Sequence, residues 1–197
     1  MALETEIKFL NVDHEALRQR LAENGAQRLS RGFECNVVYD DAERSLKAKG
    51  TLLRLREKNC RHVLTIKTAS ASTSTLAKIY EESETEVLNA PAMREILAGL
   101  GYLPALRYEK VREKWSLLGC EVCLDTLPFG SFAEIEGNEP DIVACAEALN
   151  LPQSAASKAT YHDLNREHRA AKGLPADESF VFDDVAKALI LARRATD

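Results

Sequence analysis

Apolar and polar residues alternate with period two through much of the chain. In Met-Ala-Leu-Glu-Thr-Glu-Ile-Lys-Phe, residues 1–9, a strand places Glu4, Glu6 and Lys8 on one face and Leu3, Ile7 and Phe9 on the other. The same periodicity predicts strands over 27–41, Thr51–Glu57, His62–Thr68, Leu76–Leu88, Arg107–Leu118, Cys120–Thr126 and Ser131–Glu136. Lys58–Arg61 is short enough to turn a hairpin, and Pro128–Gly130 another. Glu43–Gly50 reads as a loop or short turn, and the small polar stretch Ala69–Thr75 as a mobile loop.

Helical patterns separate these strands. Asn11–Asn24 has Leu17 and Leu21 four apart, Asn11 or Asp13 as cap and Gly25 as stop. Pro91 opens a helix over Ala92–Leu100 that ends at Gly101. Pro140–Leu149, Ser154–Arg169 and Asp183–Arg194 complete the set. Strands mostly in antiparallel succession with a few helices predict an α+β fold, an eight-stranded antiparallel β-barrel with helices outside. A domain over 1–170 is followed by a linker and helix at 171–197 that look appended.

Composition narrows the class. The 197 residues are 45% hydrophobic and 29% charged, as in a soluble globular domain. A net charge of −5 offers no basic field for nucleic acid or anionic lipid, and no apolar run is long enough to span a bilayer. The charged start is unlike a secretory signal, so a cytoplasmic location is expected. Five cysteines, an odd number, argue against a disulfide framework. Cys120 and Cys123 form an isolated C-x-x-C with an odd offset that divides the thiols between two faces; both are read as packing residues rather than zinc ligands.

The charged faces carry the chemistry. Like-charge residues two apart recur as Glu4/Glu6, Arg54/Arg56, Glu82/Glu84/Glu86, Lys110/Arg112 and Glu134/Glu136, with Lys8, Lys67 and Asp125 in phase on their own strands. Any one pair fits a solvated sheet face. Five of them, aimed at one interior, need a compensating ligand, because like-charged neighbours across strands repel. Carboxylates gather around divalent cations, and guanidinium and ammonium groups around polyphosphates, so both in one cavity point to a metal–polyphosphate site.

At these residues the chain resembles the CYTH superfamily, the triphosphate tunnel metalloenzymes, which include class IV adenylyl cyclases, thiamine triphosphatases and inorganic triphosphatases. The shared pattern is E-x-E-x-K at Glu4–Lys8, then R-x-R at Arg54/Arg56, T-x-K at Thr65/Lys67 and E-x-E within Glu82–Glu86. K-x-R at Lys110/Arg112, Asp125 and G-x-F-x-E-I-E at Gly130–Glu136 follow, and Ala159–Leu164 is similar to the family's S-Y-x-x-L segment. Tyr80 stands where the family often has arginine, and both Glu82/Glu84 and Glu84/Glu86 match the acidic pair.

The resemblance implies a tunnel binding triphosphate with Mg²⁺ or Mn²⁺. It implies metal ligation by Glu4, Glu6, Glu134 and Glu136 with Asp125 and Glu84 as helpers, and phosphate binding by Arg54, Arg56, Lys67, Lys110 and Arg112. Lys8 would orient phosphate or a glutamate, and Lys8, Glu4 and Glu6 would form the catalytic group. A metal-dependent triphosphatase is the leading expectation, with a class IV adenylyl cyclase and a non-catalytic triphosphate sensor as alternatives. The expected partner is a small-molecule triphosphate, with neither nucleic acid nor membrane. Monomer and homodimer both remain open.

Overall fold

The fold is seen in a computed structural model that describes residues 2–71, 74 and 77–193. Its elements are β1 (Ala2–Leu10), α1 (His14–Glu23), β2 (Gln27–Asp40), α2 (Ser45–Ala48), β3 (Thr51–Lys58), β4 (Arg61–Ala69), β5 (Lys78–Val87) and α3 (Ala90–Gly99). There follow β6 (Leu103–Leu117), β7 (Cys120–Leu127), β8 (Gly130–Glu136), α4 (Glu139–Ala148), β9 (Ala156–Ser157), α5 (Tyr161–Ala171) and α6 (Asp184–Arg193). Much of the expected 69–75 loop, and the start of the strand expected from Leu76, lie outside the described residues.

The strands hydrogen-bond in the order β5-β4-β3-β2-β6-β7-β8-β1, and β1 pairs back onto β5. This closes an eight-stranded antiparallel barrel with no free edge around the ring. Closure depends on β1, which uses one edge for β8 over Glu6–Leu10 and the other for β5 over Ala2–Glu6. Beyond Glu6, where β5 ends, the second edge is taken by β9, pairing Ser157 with Lys8 and Ala156 with Phe9.

That pairing corrects the helix expected over Ser154–Arg169. Its first residues form a 3₁₀ turn and β9, and the helix starts only at Tyr161. Thr160 caps it: the hydroxyl accepts from the Asp163 amide while the Asp163 carboxylate accepts from the Thr160 amide. The strand expected from Arg107 begins earlier, at Leu103, because β2 pairs with β6 as far as Leu103.

The apolar faces point away from the tunnel. Ile7, Phe9, Val122, Leu124, Ala133 and Ile135 pack beneath Leu17 and Leu21 of α1 and Ile142, Cys145 and Ala146 of α4. On the opposite wall Tyr39, Leu55 and Val87 meet Ala90 and Leu97 of α3. The hydrophobic core is therefore a coat between barrel and helices, which leaves the interior free for charge.

A third cluster packs beside one end. Leu164 of α5 joins Val38, Leu106, Tyr108, Leu127, Phe132 and Phe180. Phe180 belongs to the stretch that looked like a free linker. β7 pairs with β6 only from Val111 onward, so the preceding stretch of that edge is open. There the Phe180 amide donates to the Arg107 carbonyl at 3.1 Å, and the Glu109 amide donates to the Phe180 carbonyl at 2.9 Å. Lys187 of α6 then reaches the buried Glu109 carboxylate at 2.5 Å. Among the described residues no helix is long and apolar enough to cross a membrane.

One close approach is a sensitive point of this coat. A Cβ on Gly137, between β8 and α4, would lie 2.8 Å from Cys120 Sγ. Gly137→Ala is expected to cost roughly 1–3 kcal/mol in urea unfolding, as overpacking does. The cost should largely vanish in a Cys120→Ala background; equal costs in both backgrounds would refute steric contact as the cause.

Candidate functional site

The barrel interior is ionic because the in-phase residues of each strand face inward. β1 supplies Glu4, Glu6 and Lys8; β3 Arg54 and Arg56; β4 Thr65 and Lys67; β5 Tyr80, Glu82 and Glu84; β6 Lys110 and Arg112; β8 Glu134 and Glu136. All of these but Thr65 line a cavity of about 680 Å³. A second cavity of about 360 Å³ opens at the hairpin end by Lys58 and Arg61 and shares Arg56 and Lys114 with the first. The interior is thus reached from both ends.

The charges divide into three groups. At the centre, Arg112 grips Asp125 with two donors, Nε to Oδ1 at 2.8 Å and Nη2 to Oδ2 at 2.5 Å, and also bonds Glu134. Lys110 donates to Asp125 at 3.1 Å, and Tyr161 Oη donates to the same carboxylate at 2.9 Å. Lys8 bonds Glu134 and lies 4.3 Å from the Tyr161 ring centroid. Burial alone would push the Lys8 ammonium down, yet Glu134, Glu6 and Asp125 hold it above the ordinary lysine range. Burial would likewise raise Glu134, but Lys8, Arg112 and Lys110 keep it well below the usual carboxylate range.

A second group ties β3 to β5. Glu84 accepts from Thr65 Oγ1 at 2.6 Å and pairs with Arg54 and Arg56 at 3.3 and 3.4 Å. Burial opposes the charge on Glu84, but these partners hold its pKa down. Glu82 meets Lys67 at 3.6 Å, whereas Glu86 pairs with Arg61 and is more than half exposed. Glu82 and Glu84 are therefore the pair inside the tunnel.

The third group is acidic. Carboxylate oxygens of Glu4, Glu6 and Glu136 lie within 4.8 Å of one another. Lys67 stands 2.6 Å from Glu4 and 3.5 Å from Glu6. Burial is the main force pushing Glu4 up to about 7, opposed by Lys67 and assisted by Glu6. Glu136 is also pushed up to about 7, by burial first, with Arg112 opposing and Glu134 and Glu4 assisting. This corner is short of positive charge.

Of the six acids expected to hold metal, only Glu4, Glu6 and Glu136 share this corner. Glu134 and Asp125 are engaged by Lys8, Arg112, Lys110 and Tyr161, and Glu84 by Arg54, Arg56 and Thr65.

The structure adds groups that the sequence reading passed over. Glu34, 1% exposed, meets Lys58 at 3.0 Å and Lys110 at 3.9 Å. Asn36, fully buried beside Arg56 and Tyr108 in the strand register, has no hydrogen-bond partner for either side-chain atom among the described residues. Both are in phase with Val38 and Asp40, a signal present in β2 but hidden by attention to its apolar residues. Cys123 is fully buried, as a packing residue would be, but on the inner face of the barrel. Its odd offset from Cys120 turns it inward, where Sγ lies 3.5 Å from Glu121 Oε1, while Cys120 joins the outer coat.

A closed tunnel lined by opposed acids and bases agrees with comparison to known proteins. The CYTH domain matches residues 2–171. The chain belongs to the CYTH family. A Methanocaldococcus jannaschii relative named "putative adenylate cyclase" is 22% identical over 173 residues, covering 82% of this chain and 98% of the relative. A Vibrio parahaemolyticus structure of the same description superposes with TM-score 0.71 at 21% identity, covering 81% of this chain and 95% of that one. A Hippeastrum protein described as a putative adenylyl cyclase with dominant triphosphatase activity gives TM-score 0.58 at 19% identity, with coverages of 89% and 98%.

The CYTH tunnel has a donor set that fits a hard divalent cation. Glu4, Glu6 and Glu136 offer only oxygen, the preference of Mg²⁺ and Mn²⁺. Burial is the main cause of the raised pKa of two of them, and the carboxylate charge it disfavours is what a bound cation would offset.

Two outcomes are expected. Without metal, the folded protein retains protons on Glu4 and Glu136 that the unfolded chain releases near the ordinary glutamate value of 4.5. Stability should fall as pH rises from there to about 7 and level off above. Glu136→Gln should gain on wild type in melting temperature across this range; a constant difference would disprove the raised value. Asp125→Asn should lose about 3–5 kcal/mol in denaturant unfolding, since it strips buried cations of their partner. A loss below about 1 kcal/mol, the scale of a surface pair, would show the central group to be dispensable.

Proposed function

We propose that this chain is a metal-dependent triphosphatase that binds triphosphate inside the barrel with Mg²⁺ or Mn²⁺. The observation carrying this reading is the separation of charge within one cavity. An acidic corner of Glu4, Glu6 and Glu136 faces a cationic wall that includes Arg54, Arg56, Lys67, Lys110 and Arg112.

The cationic wall suits a chain of phosphates. Arg54 and Arg56 lie side by side on β3 and are held by one carboxylate, Glu84, so their remaining donors can span adjacent phosphate oxygens. Lys67, at the boundary with the acidic corner, is placed to exchange Glu4 for phosphate. Lys110 and Arg112 are fixed by Asp125 and bring positive charge with little freedom to relax, the arrangement that stabilises charge developing in a transition state. Lys8, fixed by Glu134 and Tyr161, orients the neighbouring groups. Asn36 offers a neutral donor and acceptor deeper in the barrel.

A divalent cation at Glu4, Glu6 and Glu136 would neutralise phosphate charge and acidify a bound water. Hydrolysis then requires in-line addition of water at the terminal phosphorus, with the bond to the bridging oxygen breaking and the shortened polyphosphate leaving. The protein's part is positioning and charge dispersal.

Adenylyl cyclase activity is the second reading, favoured by the names of the Methanocaldococcus and Vibrio relatives. The description of the Hippeastrum protein favours the triphosphatase. In a cyclase the ribose 3′-hydroxyl would attack the α-phosphorus in the same cage and pyrophosphate would leave.

Incubation with tripolyphosphate and with ATP, each with Mg²⁺ or Mn²⁺, should release phosphate. Arg56→Ala should lower kcat/KM by on the order of 10²-fold, as loss of a transition-state donor does. Cyclic AMP with stoichiometric pyrophosphate would overturn the hydrolase in favour of the cyclase. A metal-dependent rise in melting temperature without turnover would favour a sensor instead.

A further inference from the structure

Tyr108 lines the cavity from β6, in phase with Lys110, yet its hydroxyl serves another strand. β2 lies between β6 and β3, and the Tyr108 side chain reaches across it so that Oη accepts from Arg54 Nη1 at 3.0 Å. The other restraints on that guanidinium come from β4 and β5. Its Nη2 donates to Thr65 Oγ1 at 3.2 Å and to Glu84 Oε1 at 3.3 Å. Tyr108 therefore fixes Arg54 from the β6 side. With both terminal nitrogens tied, the plane of the guanidinium is set, and a fork of N–H donors works only when its plane is oriented. Arg54 Nε is buried with no hydrogen-bond partner among the described residues. A buried donor left unpaired is costly, and a phosphate oxygen meeting it would remove that cost.

A phenol can hold an arginine only if its own ring is held. Tyr108 is buried between two rings, His162 of α5 with centroids 5.4 Å apart and Phe180 at 5.2 Å. Phe180 also grips the strand on both sides of Tyr108. Its amide donates to the Arg107 carbonyl and its carbonyl accepts from the Glu109 amide. Its neighbours add to the hold. Ser179 Oγ accepts from the Arg107 amide at 3.1 Å, and the Phe182 amide donates to the buried Glu109 carboxylate at 3.2 Å. The tail is tied in turn to α5, by Asn165 Nδ2 on the Asp177 carbonyl at 2.8 Å, and to α2, by Arg44 on Glu178 at 2.7 Å. All of these tail residues lie beyond residue 171, where the match to the CYTH domain ends. The part of the chain that the family pattern does not cover thus clasps β6 at the residue that meets Arg54.

We propose that Tyr108 is a positioning residue for Arg54, and that the C-terminal tail, through Phe180, sets how firmly the cationic wall grips phosphate. The inference rests on the triphosphate reading of the cage and adds a determinant outside its charged residues. A buried phenol hydroxyl needs a partner whatever its role. Positioning differs from mere satisfaction in one respect: its benefit to binding passes through Arg54 and vanishes when Arg54 is absent.

The test reads the affinity of the full chain for tripolyphosphate by calorimetry in EDTA, where the cationic wall acts without metal. Tyr108→Phe keeps the ring and removes only the acceptor. Phe180→Leu keeps a buried apolar side chain and the backbone bonds, and removes only the ring. Tyr108→Phe should weaken binding about tenfold, the scale of one hydrogen bond to a charged group. In an Arg54→Ala background the same change should alter affinity by less than about twofold, whereas a structural role would give equal losses with and without Arg54. Phe180→Leu should weaken binding about threefold, and by less than about twofold once residue 108 is already changed by Tyr108→Phe. No loss from Tyr108→Phe, or an equal loss in the Arg54→Ala background, would overturn the positioning role while leaving the cage intact. An undiminished loss from Phe180→Leu in the Tyr108→Phe background would overturn the part given to the tail. Wild-type protein that binds no tripolyphosphate in EDTA would overturn the cationic wall and this inference with it.

Discussion

The Arg112 guanidinium, buried between Asp125 and Glu134, joins β6 to β7 and β8 from inside the barrel. A charge removed from water needs an opposite charge and a full set of hydrogen bonds, or it costs several kcal/mol. Here the partners are arranged in a chain, with Lys8 on Glu134, Lys110 and Tyr161 on Asp125, and Glu34 behind Lys110. Each strand that enters the barrel brings a charge needed by another strand. Strand register and electrostatic balance are thus one constraint: shifting a strand by one residue would turn its charges outward and orphan its neighbours'.

This constraint explains where the apolar residues went. A barrel with an ionic interior cannot stabilise itself from within, so its hydrophobic burial is transferred to the outer face, under α1, α3 and α4. It also explains the packing beside one end. Tyr161 on α5 buries its ring over Lys8 and uses its hydroxyl on Asp125, so an amphipathic side chain seals the ionic core against the aromatic cluster around Phe132 and Phe180.

The balance is incomplete at one place. Glu4, Glu6 and Glu136 converge with less positive charge than the rest of the interior, and burial carries two of them toward neutrality. A structural network would have no reason to leave such a corner, since a protonated carboxylic acid contributes little to an ionic lattice. Its position beside Lys67, the first member of the cationic wall, is what the proposed function takes as a meeting point for a cation and an anionic substrate. The C-terminal tail then shapes the entrance, because β6 outruns β7 and leaves an edge that the chain itself must cover.

Much of this was legible from residue order. Period-two alternation is a local consequence of strand geometry, so Glu4/Glu6/Lys8, Arg54/Arg56 and Lys110/Arg112 announced their shared faces, and repetition of the pattern announced a charged interior. The closed α+β barrel and the CYTH relationship followed from it. Which charge meets which did not, because pairing depends on register between strands far apart in sequence: that Asp125 meets Arg112, Lys110 and Tyr161 is visible only in the fold. The ambiguity among Glu82, Glu84 and Glu86 had the same origin, and proximity to Arg54, Arg56 and Lys67 places Glu82 and Glu84 inside. The residues around Ala156 and Phe180 carry no strong local strand signal and acquire their conformation from edges left open by β5 and β7. Sequence alone determined the faces of the strands; only the tertiary structure decided their partners, because a charge's role depends on what lies within a few ångströms of it.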